Sequence, residues 1–285
     1  MPAPTLTPDD HTHSEWSWDA WEGSMVGSCA RAVDLGLRSI AFTEHVDGTR
    51  WTVPDDMRDR FAEAGRDLVD EDGRFVPSPF DVEGYLASIE ACRERFPDLR
   101  VVTGVELGEP HWFAEQARTL LAGRRFERVL GSLHVLEFDE QPWLVDTLMM
   151  PHQRQRPTAA EVVRGYLREA ATMVRNLPDE VQSLAHIDYP VRHWEGRFDP
   201  SDFEEGFREV LVPLATSERA LEINTRVPLA AEILGWWRDV GGRAVSFGSD
   251  AHRPSAVADG FADAAAMAEA HGFRRDRHPH GFWHR

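Results

Sequence analysis

The chain contains no lysine; all 31 of its basic residues are arginine. A metal site bridged by a carboxylated lysine, as in many binuclear amidohydrolases, is therefore excluded. Cysteine is nearly absent as well. Cys29 and Cys92 stand far apart without C-x-x-C spacing, so they read as ordinary thiols rather than a disulfide framework. No apolar run approaches the roughly 18 residues that a membrane span needs. The stretch from Met1 to Asp10 lacks the basic start and apolar centre of a signal peptide. A cytoplasmic protein with no membrane partner is the expectation. Positive charge is scarce beside 49 acidic residues, which gives a net charge of −18. Binding a nucleic-acid backbone needs clustered cations, so the balance argues against such a partner. A small phosphorylated metabolite stays open, because it needs only local cations and metal. Also missing are a G-x-S-x-G elbow, a G-x-x-x-x-G-K-[ST] loop and an H-E-x-x-H pair.

What is present is alternation. Helical periodicity predicts helices over residues 21–35, 80–95, 111–121, 159–176, 201–216, 229–239 and 256–270. Strand-like runs fall between them at 39–43, 99–106, 128–134, 182–187, 220–224 and 243–248, after a weakly marked strand before His11. This order predicts an α/β fold with a parallel sheet. Two longer connections, 46–79 and 136–157, have the length of lids or binding loops. The first holds Arg50, Trp51, Arg58, Arg60 and Arg66, with a short helix expected over 55–64. The second holds Trp143, His152, Arg154 and Arg156.

Seven short segments deliver metal-type ligands, most after a strand-like run. They are Asp10-His11-Thr12-His13, Thr43-Glu44-His45, Gly104-Val105-Glu106, Gly131-Ser132-Leu133-His134, Leu184-Ala185-His186, Glu222-Ile223-Asn224 and Ser249-Asp250-Ala251-His252. Ligands at nearly every strand end favour a closed (β/α) barrel over an open sheet, whose site gathers at one switch point. Seven units are counted, in one domain over residues 1–285.

His11 and His13 lie two apart, and on an extended segment such residues share a face. Asp250 and His252 repeat that spacing. Glu106, His134 and His186 each follow an apolar run. A barrel interior cannot hold so many polar groups uncompensated, and a metal cluster compensates them together. Glu44 and His45 must face opposite sides; His45 is taken as the ligand, and Glu44 is left behind the site or at the surface. The His/carboxylate set suits Zn, Mn or Fe. It exceeds one tetrahedral ion, so two or three ions are expected, with Glu106 as the bridge.

Two ions about 3.5–4 Å apart share a bridging water, bring its pKa toward ~7 and hold a phosphoryl oxygen. Phosphate-ester hydrolysis is the first expectation. Amide or lactone hydrolysis at a Glu-bridged binuclear site competes with it, and a metal-binding barrel without chemistry is the third possibility. Ser132 and Ser249 read as small packing residues.

The segment from Asp10 to Ala20 resembles the first motif of the polymerase and histidinol phosphatase (PHP) family. Thr43-Glu44-His45, Gly104-Val105-Glu106-Leu107, Ser132-Leu133-His134, Ala185-His186-Ile187-Asp188 and Gly248-Ser249-Asp250-Ala251-His252 resemble its later motifs, in order. The resemblance implies a distorted seven-stranded (β/α) TIM-like barrel with a trinuclear site. By position, His11, His13, Glu106 and Asp250 share one ion. Glu106 bridges to a second ion held by His134 and His186, and His45 and His252 hold the third. Many members carry a further histidine six residues after the H-x-H pair; here Asp19 stands there, with Glu15 a poorer substitute.

His186-Ile187-Asp188-Tyr189-Pro190 and Leu221-Glu222-Ile223-Asn224-Thr225 resemble the histidinol-phosphatase branch. That implies hydrolysis of L-histidinol phosphate, a step of histidine biosynthesis, with Glu106 and Asp250 central to catalysis. Other phosphoesters, such as a nucleotide, a sugar phosphate or phosphotyrosine, are the alternative substrates. Phosphate also needs a cation beside the metals. Arg192 and Arg226 are the candidates, and His193 is a candidate for protonating the leaving oxygen or touching substrate. Trp16, Trp18, Trp21, Trp51 and Trp143 either wall the pocket mouth or pack. His111, His152, His271, His278, His280 and His284 are left outside the site, the last four in a tail expected at the surface.

Overall fold

The structure, a computed structural model, describes residues 7–63, 65, 67–123, 126–150, 157–278 and 280–285. The expected contributions of Arg66, His152, Arg154 and Arg156 lie outside the described residues. Seven strands pair in parallel, in the order β1 (Asp9–Thr12), β2 (Ser39–Val46), β3 (Arg100–Gly108), β4 (Arg128–Ser132), β7 (Ser183–Leu184), β8 (Ala220–Asn224) and β9 (Ala244–Gly248). An antiparallel edge strand, β10 (Trp283–His284), follows β9. The sheet is curled. At the closing side His11 accepts a backbone hydrogen bond from Asp250 at 2.9 Å, and His13 donates one to Ala251 at 2.9 Å.

The helices are α1 (Met25–Leu35), α2 (Asp55–Glu63), α3 (Val82–Arg95), α4 (Ala114–Leu121), α5 (Val145–Met149), α6 (Ala159–Arg175), α7 (Glu204–Thr216), α8 (Ala231–Asp239) and α9 (Phe261–Ala270). Each predicted helix is present, though several start later than periodicity suggests. Capping explains one case. Ser24 accepts the amide of Gly27 at 3.1 Å and starts α1, four residues past the expected Trp21. Gly36 ends it in the left-handed conformation, at φ 77°.

The core lies between the sheet and these helices. α6 and α7 bury Val163, Tyr166, Leu167, Phe207, Val210 and Leu214. On the other side α1 and α3 bury Met25, Tyr85 and Ile89. Cys29 and Cys92 meet in that second cluster as free thiols. The hydrogen bond with Cys92, with burial added, pushes the Cys29 thiol up.

Three expectations need correction. The connection over 136–157 is not one open loop. It contains a hairpin, β5 (Val135–Phe138) and β6 (Gln141–Leu144), followed by α5. Its turn residues Asp139 and Glu140 both have positive φ, 52° and 59°. A two-residue hairpin turn with such angles is ordinarily marked by Asn-Gly or Asp-Gly, and that mark is missing. Secondly, β7 has two residues rather than six, because the chain leaves the sheet at Ala185. Thirdly, the C-terminal tail is not all surface: Trp283 is buried against Phe247, their rings 4.9 Å apart.

Candidate metal centre

Each ligand-bearing strand ends on the same side of the sheet. β1 brings His11, and His13 follows just beyond it; both are fully buried. β3 brings Glu106 and β2 brings His45, paired in register. His134 follows β4, His186 follows β7, and Asp250 and His252 follow β9. Asp250 has φ 51°, a left-handed conformation that Asp tolerates better than most residues. Gly248 keeps space open at the floor: a Cβ there would lie 2.1 Å from Glu222 Oε1 and 2.6 Å from His11 Cβ.

One carboxylate organises the array. Glu106 Oε2 lies 3.1 Å from His11 Nε2, 3.4 Å from His13 Nε2 and 3.2 Å from His45 Nδ1. Glu106 Oε1 lies 2.7 Å from His186 Nε2 and 3.3 Å from His134 Nε2. Asp250 Oδ1 lies 3.4 Å from both His13 Nε2 and His252 Nδ1. Asp19 Oδ2 lies 2.9 Å from His252 Nε2 and 3.4 Å from His45 Nε2. The structure thus gathers all nine residues expected as ligands.

Within this array, four triads have donor atoms within 4.8 Å of one another: His11–His13–Asp250, His11–Glu106–His186, His45–Glu106–His134 and His13–His45–His252. The donors fit divalent metal. His11 Nε2 and His13 Nε2 face each other at 3.0 Å, where one shared proton is the most they can hold. Among the described residues, the buried atoms Nδ1 of His186 and Oδ1 of Asp19 meet no hydrogen-bond partner. The array is therefore short of positive centres, and N/O donors without thiolate suit Zn, Mn or Fe.

The electrostatics agree. Burial disfavours a charged Glu106, yet His11, His45 and His134 hold its carboxyl well below the usual range. Asp250 is likewise held low against burial, by Arg226 and Arg192. Burial, with His45 and His252 adding to it, brings His13 down to about 4. His45 rises to about 9 against burial, because Asp19 and Glu106 face it.

Around the donors lies a set of groups that hold them. Glu44 is buried, not at the surface: it accepts both Ser14 Oγ and Ser17 Oγ at 2.6 Å. Ser17 Oγ lies 3.0 Å from His13 Nδ1, so Glu44 fixes that ring through a hydroxyl. Glu222 Oε1 lies 2.7 Å from His11 Nδ1, and its Oε2 accepts the His186 amide at 2.8 Å. Glu109 accepts the amides of His134 and Val135 at 2.6 and 3.0 Å. Asp47 accepts Trp18 Nε1 at 2.7 Å and lies 3.5 Å from His134 Nδ1. Sequence reasoning gave Asp47, Glu109 and Asp146 no role. Glu222 was seen as a strand-end donor, but its service to His11 was not. Ser132 and Ser249 bond to the Leu107 carbonyl and to Asp9, as packing residues would.

A cavity opens over the donors, lined also by Trp18, Trp51, Asp146, Tyr189, Arg192 and Arg226. Arg192 donates to Asp250 and lies over the Tyr189 ring, 4.1 Å from its centroid. Arg226 Nη1 lies 3.3 Å from Asp250 Oδ1. Both arginines thus sit at the site. His193 does not line the cavity; its Nε2 lies 3.3 Å from Asp146 Oδ1, and Asp146 does line it. Trp21 lines an adjoining outer cavity, and Trp16 and Trp143 pack against the core clusters. His111 lies apart, 2.7 Å from Glu169. Glu15 is not among the donors; it accepts the Met25 amide at 2.6 Å.

The chain is similar to known proteins over most of its length. The chain is 27% identical over 274 residues to a "probable histidinol-phosphatase" of Clostridium acetobutylicum, covering 92% of each. It is 24% identical over 259 residues to a histidinol-phosphatase of Lactococcus lactis, covering 86% of this chain and 83% of that one. The crystal structure of histidinol phosphate phosphatase from Lactococcus lactis, complexed with zinc, L-histidinol and phosphate, superposes with a TM-score of 0.75. It does so at 22% identity and over 95% of each chain. Residues 9–226 match the PHP domain, and the chain belongs to the PHP domain family.

Proposed function

We propose that this chain is a metal-dependent phosphomonoesterase, specifically a histidinol-phosphatase of histidine biosynthesis that converts L-histidinol phosphate and water to L-histidinol and phosphate. The observation that carries the reading is the Glu106-centred array with two guanidiniums on its rim. His11, His13, Glu106 and Asp250 would hold one ion, Glu106, His134 and His186 a second, and His45, His252 and Asp19 a third. Divalent ions bound there supply Lewis acidity toward a phosphoryl oxygen and lower the pKa of water toward about 7.

The chain's own residues do the rest. Arg192 and Arg226 lie beside Asp250, where a phosphoryl group over the donors would offer oxygens to both. Tyr189 packs against His134 and His186, with its ring centroid 5.2 and 4.9 Å from theirs. His193 enters through Asp146, which it contacts.

The same proposal reads the curled sheet as a distorted (β/α)7 barrel forming one domain over residues 1–285. The hydrogen bonds between His11 and Asp250 and between His13 and Ala251 support it. A cytoplasmic location belongs to the proposal too. Among the described residues no helix is long and apolar enough to cross a membrane.

The test strips the protein with a chelator, restores Zn, Mn or Fe, counts the metal, and follows phosphate release from a substrate panel. Two or three ions per chain and fastest turnover of L-histidinol phosphate are expected. Chelation should abolish turnover, as should Glu106→Gln with an unchanged circular dichroism spectrum. Turnover of L-histidinol phosphate no faster than of a generic aryl phosphate would reject the narrow assignment. No phosphoester hydrolysis by the metal-loaded protein would reject the phosphatase itself.

A further inference from the structure

We propose that Ser17 is a positioning residue whose hydroxyl sets which nitrogen of His13 stays open to metal and ties that choice to the backbone of His45. This role rests on the reading of His13 and His45 as metal donors. It belongs to groups behind the donors, not to the donors themselves.

A hydroxyl has one proton to give and two lone pairs to receive with. The buried Ser17 Oγ meets three partners: Glu44 Oε2 at 2.6 Å, the His45 amide nitrogen at 3.1 Å and His13 Nδ1 at 3.0 Å. The His45 amide can only donate, so it takes one lone pair. His13 Nδ1 could give or receive a proton, and Glu44 decides which. Glu44 Oε2 also accepts the Ser14 amide at 3.1 Å, while Oε1 accepts Ser14 Oγ at 2.6 Å. An amide cannot reverse its hydrogen bond, so Oε2 is fixed as an acceptor. Burial raises the Glu44 carboxyl, but a proton there would sit on Oε1, against Ser14 Oγ, and leave Oε2 unchanged. The Ser17 proton therefore goes to Glu44, and its second lone pair receives Nδ1–H of His13.

A neutral imidazole protonated on Nδ1 keeps its lone pair on Nε2. In His13 that nitrogen faces Glu106 Oε2 and Asp250 Oδ1, each at 3.4 Å. His11 has a carboxylate, Glu222, directly on its Nδ1. A carboxylate can only accept, whereas a hydroxyl can turn; Ser17 serves His13 only while Glu44 holds its proton. The same oxygen anchors the end of β2 at His45, whose ring stacks on that of His13 with centroids 4.3 Å apart.

The test measures zinc affinity of the full chain by competition with a chromophoric chelator. Ser17→Ala should weaken binding by about 10- to 100-fold, the range for groups that orient a ligating histidine. Ser17→Thr, which keeps the hydroxyl, should recover most of it. Glu44→Gln should stay near wild type, because the Ser14 amide selects the Gln oxygen for the Oε2 position. Glu44→Leu frees the hydroxyl to donate to His13 Nδ1 and so moves the ring proton to Nε2. It should bind zinc more weakly than Ser17→Ala, and adding Ser17→Ala to it should restore part of the affinity. Nitrogen-15 NMR of the zinc-loaded protein gives a second readout. The His13 Nδ1 proton should exchange slowly in wild type and Glu44→Gln, and faster in Ser17→Ala. Wild-type affinity and slow exchange in Ser17→Ala, or a Glu44→Leu loss that Ser17→Ala deepens, would overturn the positioning role while leaving the metal centre intact. If circular dichroism shows Glu44→Leu unfolded, the Ser17 variants and the exchange rate decide alone. A wild type that binds no zinc would overturn the metal centre and this proposal with it.

Discussion

Glu222 grips His11 from behind: its Oε1 lies 2.7 Å from Nδ1, while Nε2 of the same ring faces Glu106 at 3.1 Å. A carboxylate on the far nitrogen of a ligating histidine fixes its tautomer and raises its basicity. Glu222→Gln should therefore weaken metal binding by about 10- to 100-fold, as read by competition with a chromophoric chelator. An unchanged affinity would show that Glu222 only packs.

Asp19 is the carboxylate beside the two histidines proposed for the third ion, 2.9 Å from His252 Nε2 and 3.4 Å from His45 Nε2. Elemental analysis of Asp19→Ala should show one metal fewer per chain than wild type, with the ions beside Glu106 retained. Loss of all metal would mean that the three groups do not fill separately.

Tyr85 joins two neighbouring strands. Its hydroxyl donates to the Phe42 carbonyl at 2.7 Å on β2 and accepts the Gly104 amide at 2.8 Å on β3. Tyr85→Phe strands two buried backbone groups and should cost about 1–3 kcal/mol in urea denaturation. Metal stoichiometry should stay at the wild-type value, since the ring remains.

Glu169 ties α6 to the segment before α4 through His111 at 2.7 Å and Trp112 Nε1 at 3.0 Å. Its hydrogen bond with His111 is the main cause holding its carboxyl below the ordinary range. A depressed carboxyl stabilises the fold above its unfolded value near 4.3, and the contribution fades as pH falls through the folded value. The group is partly solvated, so Glu169→Gln should cost only about 0.2–1 kcal/mol at pH 7. Denaturation at pH 7 and pH 3 should show the variants converging at the acid end; a gap that widens there would contradict the assignment.

Much of this was legible in the chain. Strand-end placement works because a parallel sheet sends every strand's exit to one side, so His11, His45, Glu106, His134, His186 and Asp250 needed only their position to be grouped. Pair spacing on extended backbone found His13 and His252 in the same way. What stayed hidden depended on contacts across the sheet. Glu222 and Asn224 share a strand face and bond to each other at 3.1 Å, and nothing local says which of them reaches β1. Asp146 sits in an insertion whose hairpin turns on Asp139 and Glu140, and its sequence carries no turn signal. Glu44 could be assigned a direction by alternation, but its burial came from Ser14 and Ser17 folding over it.

Asp9 carries a lesson about order of assembly. Its carboxylate accepts the Ser249 amide at 3.0 Å, Ser249 Oγ at 2.6 Å and the Ala258 amide at 2.9 Å, binding β1 to the segment that follows β9. His11 and Asp250, which belong to one triad, flank that junction although they lie far apart in sequence. On a ribosome the donors on β1 through β4 would emerge long before their partners, exposed and able to bind ions in wrong combinations. The complete coordination set exists only once both His11 and His252 have been made, so capture of the full metal complement waits on a contact of very long sequence range.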